Sequence, residues 1–173
     1  MTEKFIFFYG GTTGNGVFSQ WYQPSFFTVD DVEYNCAEQF MMAEKARLFG
    51  DEETLKKIML KTHPKDQKAL GKSVTPFNAT EWNAVARDRV YEGNYAKFTQ
   101  DSRLKERLLI THGTTLVEAS PYDTIWGIGR TADDPLAWSR ETWRGTNWLG
   151  EVLTKLCNDL VSGVKSTVFD WKN

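Results

Sequence analysis

The feature of this sequence that most restricts its fold is a change of residue pattern at Asn35. Before that point, aromatic residues form short runs that are typical of strands. Beyond it, stretches of helix-forming residues begin at capping residues and end near glycines. The predicted helices cover residues 35–49, 51–60, 64–71, 79–92, 102–111 and 147–162. Most of the chain is therefore predicted to be helical.

A small β-sheet is predicted beside these helices. Aromatic runs at residues 5–9 and 17–22 flank a glycine-rich loop, which is typical of a hairpin. The loop is not a phosphate-binding P-loop, because Val17 and Phe18 follow its last glycine where Lys and Ser or Thr are required. Together with residues 115–128, this N-terminal hairpin is expected to form a small antiparallel sheet. We therefore predict a mainly α, α+β fold.

Length and composition predict one domain and exclude several classes of protein. A chain of 173 residues can bury a single core, so residues 1–173 are expected to form one domain. Cys36 and Cys157 are isolated thiols, which fits a reducing, cytoplasmic location and argues against a Cys/His metal site. Because no apolar run approaches ~18 residues and no signal peptide is recognisable, we expect no membrane contact. The sequence indicates no obligate protein partner.

Charge and aromatic content restrict the kind of ligand. The chain has 21 basic and 23 acidic residues, a net charge of −2, and so lacks an overall electrostatic footprint for a nucleic-acid backbone. Aromatic residues make up 14% of the chain. Their flat apolar faces serve either to pack the core or to stack on a planar ligand.

The first predicted helix carries a candidate catalytic pair. Glu38, Met42 and Lys45 lie at i, i+4 and i+7, so they share one face of the helix. A carboxylate and an amine on a shared face are suited to acid–base or covalent catalysis. The alternative is that Glu38 completes a capping box with Asn35 and that Lys45 is a solvated charge.

Three further regions have both a functional and a structural interpretation. Trp82 and Arg87 lie on the fourth predicted helix, where the tryptophan faces either a ligand or the core. Residues 120–129 combine an acid, an indole and two glycines, which permit stacking and close backbone approach or else form a tight turn. Asn147, at the start of the last predicted helix, marks either an anion site or a simple N-cap.

Six segments of this chain occur in the order seen in YbiA-like N-glycosidases, also called the NADAR family. They are Phe18-Ser19, residues 35–46, Trp82 followed by Arg87, residues 93–100, residues 120–129 and residues 145–150. The chain therefore resembles that family over about residues 18–160. The resemblance implies a compact, mainly helical enzyme that needs no cofactor or metal and hydrolyses N-glycosidic bonds. Its substrate would be a ribosylamino-pyrimidine phosphate of riboflavin synthesis, as a nucleotide-like small molecule, or ADP-ribosylated guanine in nucleic acid.

The resemblance also implies roles for individual residues. Glu38 would be the catalytic acid/base, Lys45 its lysine partner with the option of a Schiff-base intermediate, and Asp123 a further catalytic acid. The implied substrate-binding residues are Trp82, Arg87, Trp126, Gly127 and Asn147. Candidate phosphate contacts are Arg47, Lys72 and Arg87, and Trp21 and Trp143 are further candidate stacking faces.

The chain departs from the family pattern at two places. It has Gln20-Trp21 where the family has Asn-Phe, and Lys72 where the family often has Arg. Lysine lacks the bidentate fork of arginine, so the phosphate end of the pocket is expected to differ. Two alternatives remain open, a non-catalytic module that binds nucleotides or ADP-ribose, and an enzyme that acts on ADP-ribosylated guanine within DNA or RNA.

Overall fold

Helices form about half of the protein in the computed structural model, which describes residues 3–171. The helices within this range are α1 (Ala37–Leu48), α2 (Glu52–Leu60), α3 (Pro64–Lys72), α4 (Ala79–Gln100), α5 (Ser102–Leu109) and α6 (Trp148–Val161). The strands are β1 (Phe5–Phe8), β2 (Phe27–Val29), β3 (Val32–Tyr34) and β4 (Thr115–Glu118). The predicted mainly α, α+β fold is confirmed.

The predicted N-terminal hairpin is wrong. β1 pairs in parallel with β4, so that Phe8 lies opposite Glu118. Residues 16–18 form a 3-10 turn instead of a second strand, because the loop folds back on itself. A Cβ on Gly16 would lie 2.7 Å from the backbone carbon of Gly11, a contact that only glycine permits. The turn buries Phe18 in the core rather than presenting it to a neighbouring strand.

An antiparallel hairpin does occur further along the chain, between β2 and β3. Asp30 and Asp31 connect the two strands with φ angles of 48° and 62°. Two successive left-handed residues are characteristic of a tight two-residue hairpin turn, and Asp tolerates this conformation better than most residues. The two small sheets are therefore separate, and the predicted single antiparallel sheet is not formed.

Helix α1 lies at the centre of the fold and packs against α2, α3 and α4. The prediction that Gly93 ends the fourth helix is wrong, since α4 continues through it to Gln100. A Cβ at Gly93 would overlap the ring of Phe40, so glycine here lets α1 and α4 approach closely. Within residues 3–171, no helix is both long enough and apolar enough to cross a bilayer.

The start of α1 differs from the predicted capping box. Cys36 is the N-cap residue and makes no side-chain capping bond. Gln39, rather than Glu38, reaches back, and its Oε1 accepts a hydrogen bond of 2.8 Å from the backbone N–H of Asn35. The side chain of Glu38 is therefore not used in capping and is available for another role.

Candidate active site

A cavity of about 600 Å³ lies beside the N-terminal end of α1. Its walls come from the end of β1, the segment that precedes β2, helix α3 and the loop that follows β4. The lining side chains that bear on its chemistry are Trp21, Lys68, Lys72, Glu118, Ser120 and Asp123. This volume is within the range of small-molecule and cofactor sites.

Glu38 is buried next to this cavity, with 4% of its surface exposed. Its backbone N–H donates a 3.0 Å hydrogen bond to the carbonyl of Gln20, and the indole of Trp21 is close enough to its carboxylate to lower the pKa of that group. Burial raises the pKa of Glu38 to about 7. The charge of Asp123 raises this pKa further, whereas Lys68 lowers it. Glu38 therefore exchanges protons near neutral pH.

Lys45 follows Glu38 by two helical turns and is half-buried. Its Nζ lies 4.3 Å from the ring centroid of Phe77. Burial lowers the pKa of Lys45, Glu38 raises it and Lys72 lowers it. A lowered pKa increases the fraction of neutral amine, which is the nucleophilic form. The structure thus brings the two predicted residues of α1 within electrostatic range of each other.

Glu118 is a functional candidate that sequence reasoning missed. It is the last residue of β4 and lines the cavity. Burial raises its pKa to about 8, and the charges of Asp123 and Glu38 act in the same direction. The signal in the sequence was an acid at the end of an otherwise apolar strand segment. That signal is weak, because the strand itself is only four residues long.

Asp123 lies in the loop after β4, which its own side chain helps to fix. One carboxylate oxygen accepts hydrogen bonds from the backbone N–H of Ile125 at 2.9 Å and of Trp126 at 2.8 Å. The hydroxyl of Ser120 accepts a 3.1 Å hydrogen bond from the N–H of Asp123. Asp123 lines the cavity, and its charge acts on both Glu38 and Glu118. Of the predicted catalytic residues, Glu38 is therefore within electrostatic range of both Asp123 and Lys45, whereas Asp123 alone lines the cavity.

Helix α3 supplies two cations to the cavity, Lys68 and Lys72. The helix lies close to α1 because Gly71 faces Met42, where a Cβ would overlap the methionine sulfur. The Nζ of Lys68 lies 5.9 Å from the ring centroid of Trp21. Lys72 was predicted as a phosphate contact, whereas Lys68 was missed.

A buried polar network holds the wall that carries Trp21. The Nζ of Lys97 donates a 2.9 Å hydrogen bond to the carbonyl of Ser19, and Asn94 donates one of 2.8 Å to Oε1 of Gln20. Burial lowers the pKa of Lys97 to about 7. Residues 94–98 lie beyond the predicted end of the fourth helix, but in the structure they belong to α4 and fix the segment that bonds to the N-terminal end of α1.

Three of the predicted substrate-binding residues lie behind the cavity and support its wall. The indole of Trp126 packs edge-on against Trp148, with ring centroids 5.6 Å apart. A Cβ on Gly127 would lie 2.9 Å from the carbonyl oxygen of Glu118, so this glycine packs the loop against β4. Asn147 is fully buried, and its Oδ1 accepts a 2.9 Å hydrogen bond from the N–H of Glu118. Its side chain therefore fixes β4 rather than capping α6.

The remaining predicted contacts lie elsewhere. Trp82 belongs to the core. Arg87 lines a different cavity, where its guanidinium lies 4.3 Å from the ring centroid of Trp148. Arg47 pairs with Glu44 at 2.6 Å, and the indole N–H of Trp143 donates to the carbonyl of Ala137 at 2.7 Å. None of these side chains lines the cavity beside Glu38 in the described part of the chain.

Comparison with known proteins gives consistent matches. The NADAR domain family matches residues 7–161. The chain is 44% identical over 162 residues to N-glycosidase R617 of Acanthamoeba polyphaga mimivirus, a match that covers 90% of this chain and 95% of that protein. It is 28% identical over 147 residues to the chloroplastic riboflavin biosynthesis protein PYRR of Zea mays, covering 82% of this chain and 21% of that protein.

A solved structure is also similar. The NMR structure of the E. coli protein YbiA matches with a TM-score of 0.76 and 25% sequence identity, and the match covers 94% of this chain and 88% of that one. The family match includes the second half of β1, all of β4 and all six described helices, and with them every residue that lines the cavity. The chain therefore belongs to the NADAR domain family.

Proposed function

We propose that the protein is an N-glycosidase that cleaves the bond between a base and ribose phosphate or ADP-ribose, with Glu38 as its acid/base. The broader class, a hydrolase of N-glycosyl compounds, is confirmed by the similarity to the viral N-glycosidase. The observation that carries the proposal is the buried carboxyl of Glu38, which lies within electrostatic range of Lys68 and Asp123, two residues that line the cavity.

The chemistry of N-glycoside hydrolysis requires these groups. As the bond from C1 of the sugar to the base breaks, positive charge develops on the sugar ring. A carboxylate close to C1 stabilises that charge, and an acid must supply a proton to the departing base. A pKa of about 7 allows Glu38 to hold or release a proton at neutral pH. Asp123 adds a second negative charge at the cavity wall.

The other lining residues suit the remainder of a nucleotide. The indole of Trp21 offers a face for a planar base, and the ammonium groups of Lys68 and Lys72 are suited to a phosphate. The name of the Zea mays relative supports a ribosylamino-pyrimidine phosphate of riboflavin synthesis as substrate. ADP-ribosylated guanine carries the same three elements, a planar base, a ribose and phosphate.

Lys45 offers a covalent version of the same reaction. Its neutral amine would attack C1 as the base leaves, and opening of the sugar ring would convert the adduct to a Schiff base that water resolves. The lowered pKa of Lys45 and its position on the same helix face as Glu38 support this route.

The test is to incubate the protein with the ribosylamino-pyrimidine phosphate and, separately, with ADP-ribosylguanosine, and to follow release of the free base. Because a positioned acid/base contributes about 10²–10⁴-fold, Glu38→Gln should reduce kcat by at least ~100-fold. The exposed Glu33 provides a matched control, and Glu33→Gln should leave kcat unchanged.

Two results would contradict the proposal. A loss of less than about tenfold in Glu38→Gln would remove Glu38 from the acid/base role. Tight binding of ADP-ribose without turnover of either substrate would instead identify a binding module.

A further inference from the structure

We infer that Glu118 is a second catalytic residue, the proton donor to the departing base, and that Glu38 acts as the base on the nucleophile. This inference rests on the proposed N-glycosidase function and divides its acid and base roles between two side chains. It begins from the geometry of Glu118 at the end of β4.

The carboxyl of Glu118 lies at the cavity, and one of its two oxygens has no hydrogen-bond partner in the described part of the chain. Oε2 is buried and makes no hydrogen bond to any residue within 3–171. A buried polar atom left unpaired costs about 1–3 kcal/mol, so such an atom at a cavity wall indicates a missing ligand group. The departing nitrogen of a base is a group of the required kind, since it accepts a proton.

The backbone around Glu118 is fixed on both sides. Its N–H donates to Oδ1 of Asn147 at 2.9 Å, and its carbonyl accepts a 3.0 Å hydrogen bond from the N–H of Ile128. Pairing of β4 with β1 restrains the strand further. The carboxyl is therefore presented from a rigid element, as a positioned proton donor requires.

The charges that face Glu118 favour its protonated form. Asp123 from the following loop and Glu38 from α1 disfavour a further negative charge, and only Lys68 from α3 opposes them. Burial is the largest cause of the raised pKa, which is about 8. The pKa of Glu38, in contrast, is lowered by the neighbouring Lys68, Lys45 and indole of Trp21. These neighbours favour Glu118 as the carboxyl that holds a proton at neutral pH.

The proton and electron balance of the step follows from this assignment. As the bond between C1 and the base nitrogen breaks, its electron pair passes to that nitrogen, which takes the proton of Glu118. Water adds to C1 and gives its proton to the carboxylate of Glu38. Glu118 ends as a carboxylate and Glu38 as a carboxylic acid, and exchange with solvent restores the starting state. If Lys45 attacks instead of water, Glu38 takes the proton of the amine.

The kinetic test compares Glu118→Gln with wild type on whichever of the two proposed substrates the wild type hydrolyses. Wild type should give a narrow bell-shaped dependence of kcat/KM on pH, with limbs near the pKa values of about 7 and 8. In Glu118→Gln, kcat/KM at pH 7 should fall by at least ~100-fold, and the decrease of kcat/KM at alkaline pH should disappear. Glu118→Asp retains a titratable carboxyl and should keep that alkaline decrease. Glu106→Gln, an exposed change on α5, is the control and should match wild type. A loss below about tenfold with the alkaline limb intact would overturn the inference.

A second substrate separates proton donation from a general loss of activity. In an analogue of the same substrate that carries an electron-withdrawing group on the base, the base departs with less need for a proton. The loss of kcat/KM in Glu118→Gln relative to wild type should be about tenfold or more smaller on this analogue, whereas the loss in Glu38→Gln should be unchanged. Equal deficits on both substrates would contradict a donor role.

A titration tests the inference without any substrate. Carboxyl 13C signals of wild type would be followed by NMR from pH 4 to 10, and the Glu118 signal would be assigned from its absence in Glu118→Gln. Glu118 should remain protonated at pH 6.5. An ionised Glu118 at that pH would overturn the inference even if the protein is an N-glycosidase. A protonated Glu118 in a protein that hydrolyses neither substrate would mean that the proposed function, and the donor role with it, is wrong.

Discussion

At the scale of single residues, the buried carboxyls of the cavity reduce the stability of the fold. In the unfolded chain a glutamate titrates near pH ~4.3. In the folded protein Glu38 and Glu118 titrate at about 7 and 8. Between these values the folded state binds more protons than the unfolded state. The contribution of each group to the free energy of unfolding therefore falls as pH rises from ~4.3 to its folded pKa.

This linkage predicts a pH-dependent gain of stability in Glu118→Gln. The substitution removes a group whose ionised form is destabilised, so the melting temperature should rise relative to wild type by at least ~3 °C at pH 8.5 and by less at pH 5. Thermal unfolding followed by circular dichroism at pH 5, 7 and 8.5 measures the difference. Lys97 titrates in both wild type and Glu118→Gln, so its effect cancels in the difference between their melting temperatures. A difference that does not change with pH would contradict the raised pKa of Glu118.

Lys45 gives the second residue-scale prediction. If the amine forms a Schiff base, borohydride added during turnover should reduce it and leave the sugar phosphate covalently attached to the protein, as detected by intact mass. Lys45→Ala should abolish this adduct and most of the turnover. Lys72→Ala is the matched control and should retain the adduct. Near-wild-type turnover in Lys45→Ala would show that the reaction does not require the covalent route.

The difference between Glu38 and Glu118 shows which site residues a sequence can predict. Glu38 and Lys45 share one helix face, so local periodicity was enough to pair them. Glu118 and Lys68 come within electrostatic range of Glu38 only through the tertiary fold, which brings the end of β4 and helix α3 to one cavity, and no local spacing encodes that proximity. Asn147 was predicted to bind substrate, but its side chain contacts the backbone of Glu118, an arrangement that depends on the packing of α6 against β4.

At the scale of elements, the contact between α1 and α4 positions the site. Gly93 faces the ring of Phe40 closely enough that a Cβ would overlap it. Overpacking of this kind costs about 1–3 kcal/mol, and the better helix propensity of alanine offsets at most ~1 kcal/mol of it. Gly93→Ala should therefore lower the free energy of unfolding and, by moving α1, also lower kcat.

Chemical denaturation and turnover of the same preparation measure both effects of Gly93→Ala. Gly14→Ala is the control, because no atom lies within 4 Å of a Cβ built at that position. An unchanged unfolding midpoint in Gly93→Ala would mean that Phe40 moves aside without cost. The same position explains an error in the predicted elements, since a glycine required for close packing was interpreted as the end of a helix.

The strands show a second limit of prediction at this scale. The aromatic run of β1 was recognised, but its partner was not, because β4 follows all of α1 to α5 in sequence. A parallel pair needs a long crossover between its strands, and a local pattern does not identify which distant strand completes it. The pairing matters for function, since it fixes the strand that ends in Glu118.

At the scale of the whole molecule, charge is nearly balanced, and the cations that face the cavity come from one helix. The net charge is −2, so attraction of a polyanion over long range is weak. Lys68 and Lys72 provide local positive charge at the cavity wall. This distribution suits recognition of one nucleotide by short-range contacts more than binding along a nucleic-acid backbone.

The balance of charge predicts how substrate binding depends on salt. KM for the free nucleotide substrate should rise only a few-fold between 50 and 200 mM NaCl, since about two lysines face its phosphate. Lys72→Met should raise KM by about tenfold with kcat within twofold, because it removes one charge-assisted contact. Lys105→Met, a change on α5, is the control and should leave KM unchanged.

The salt dependence can also be measured with a single-stranded oligonucleotide that carries ADP-ribosylated guanine. This measurement distinguishes an enzyme that acts on a free metabolite from one that acts within nucleic acid. Binding along the backbone releases counterions in proportion to the phosphates contacted, so its affinity falls steeply with salt. If the oligonucleotide is bound no more tightly than ADP-ribosylguanosine and with the same shallow salt dependence, recognition is confined to the cavity. A steep dependence that Lys105→Met also weakens would show that the basic residues of α5 extend the site, and the expectation drawn from the net charge would then be wrong.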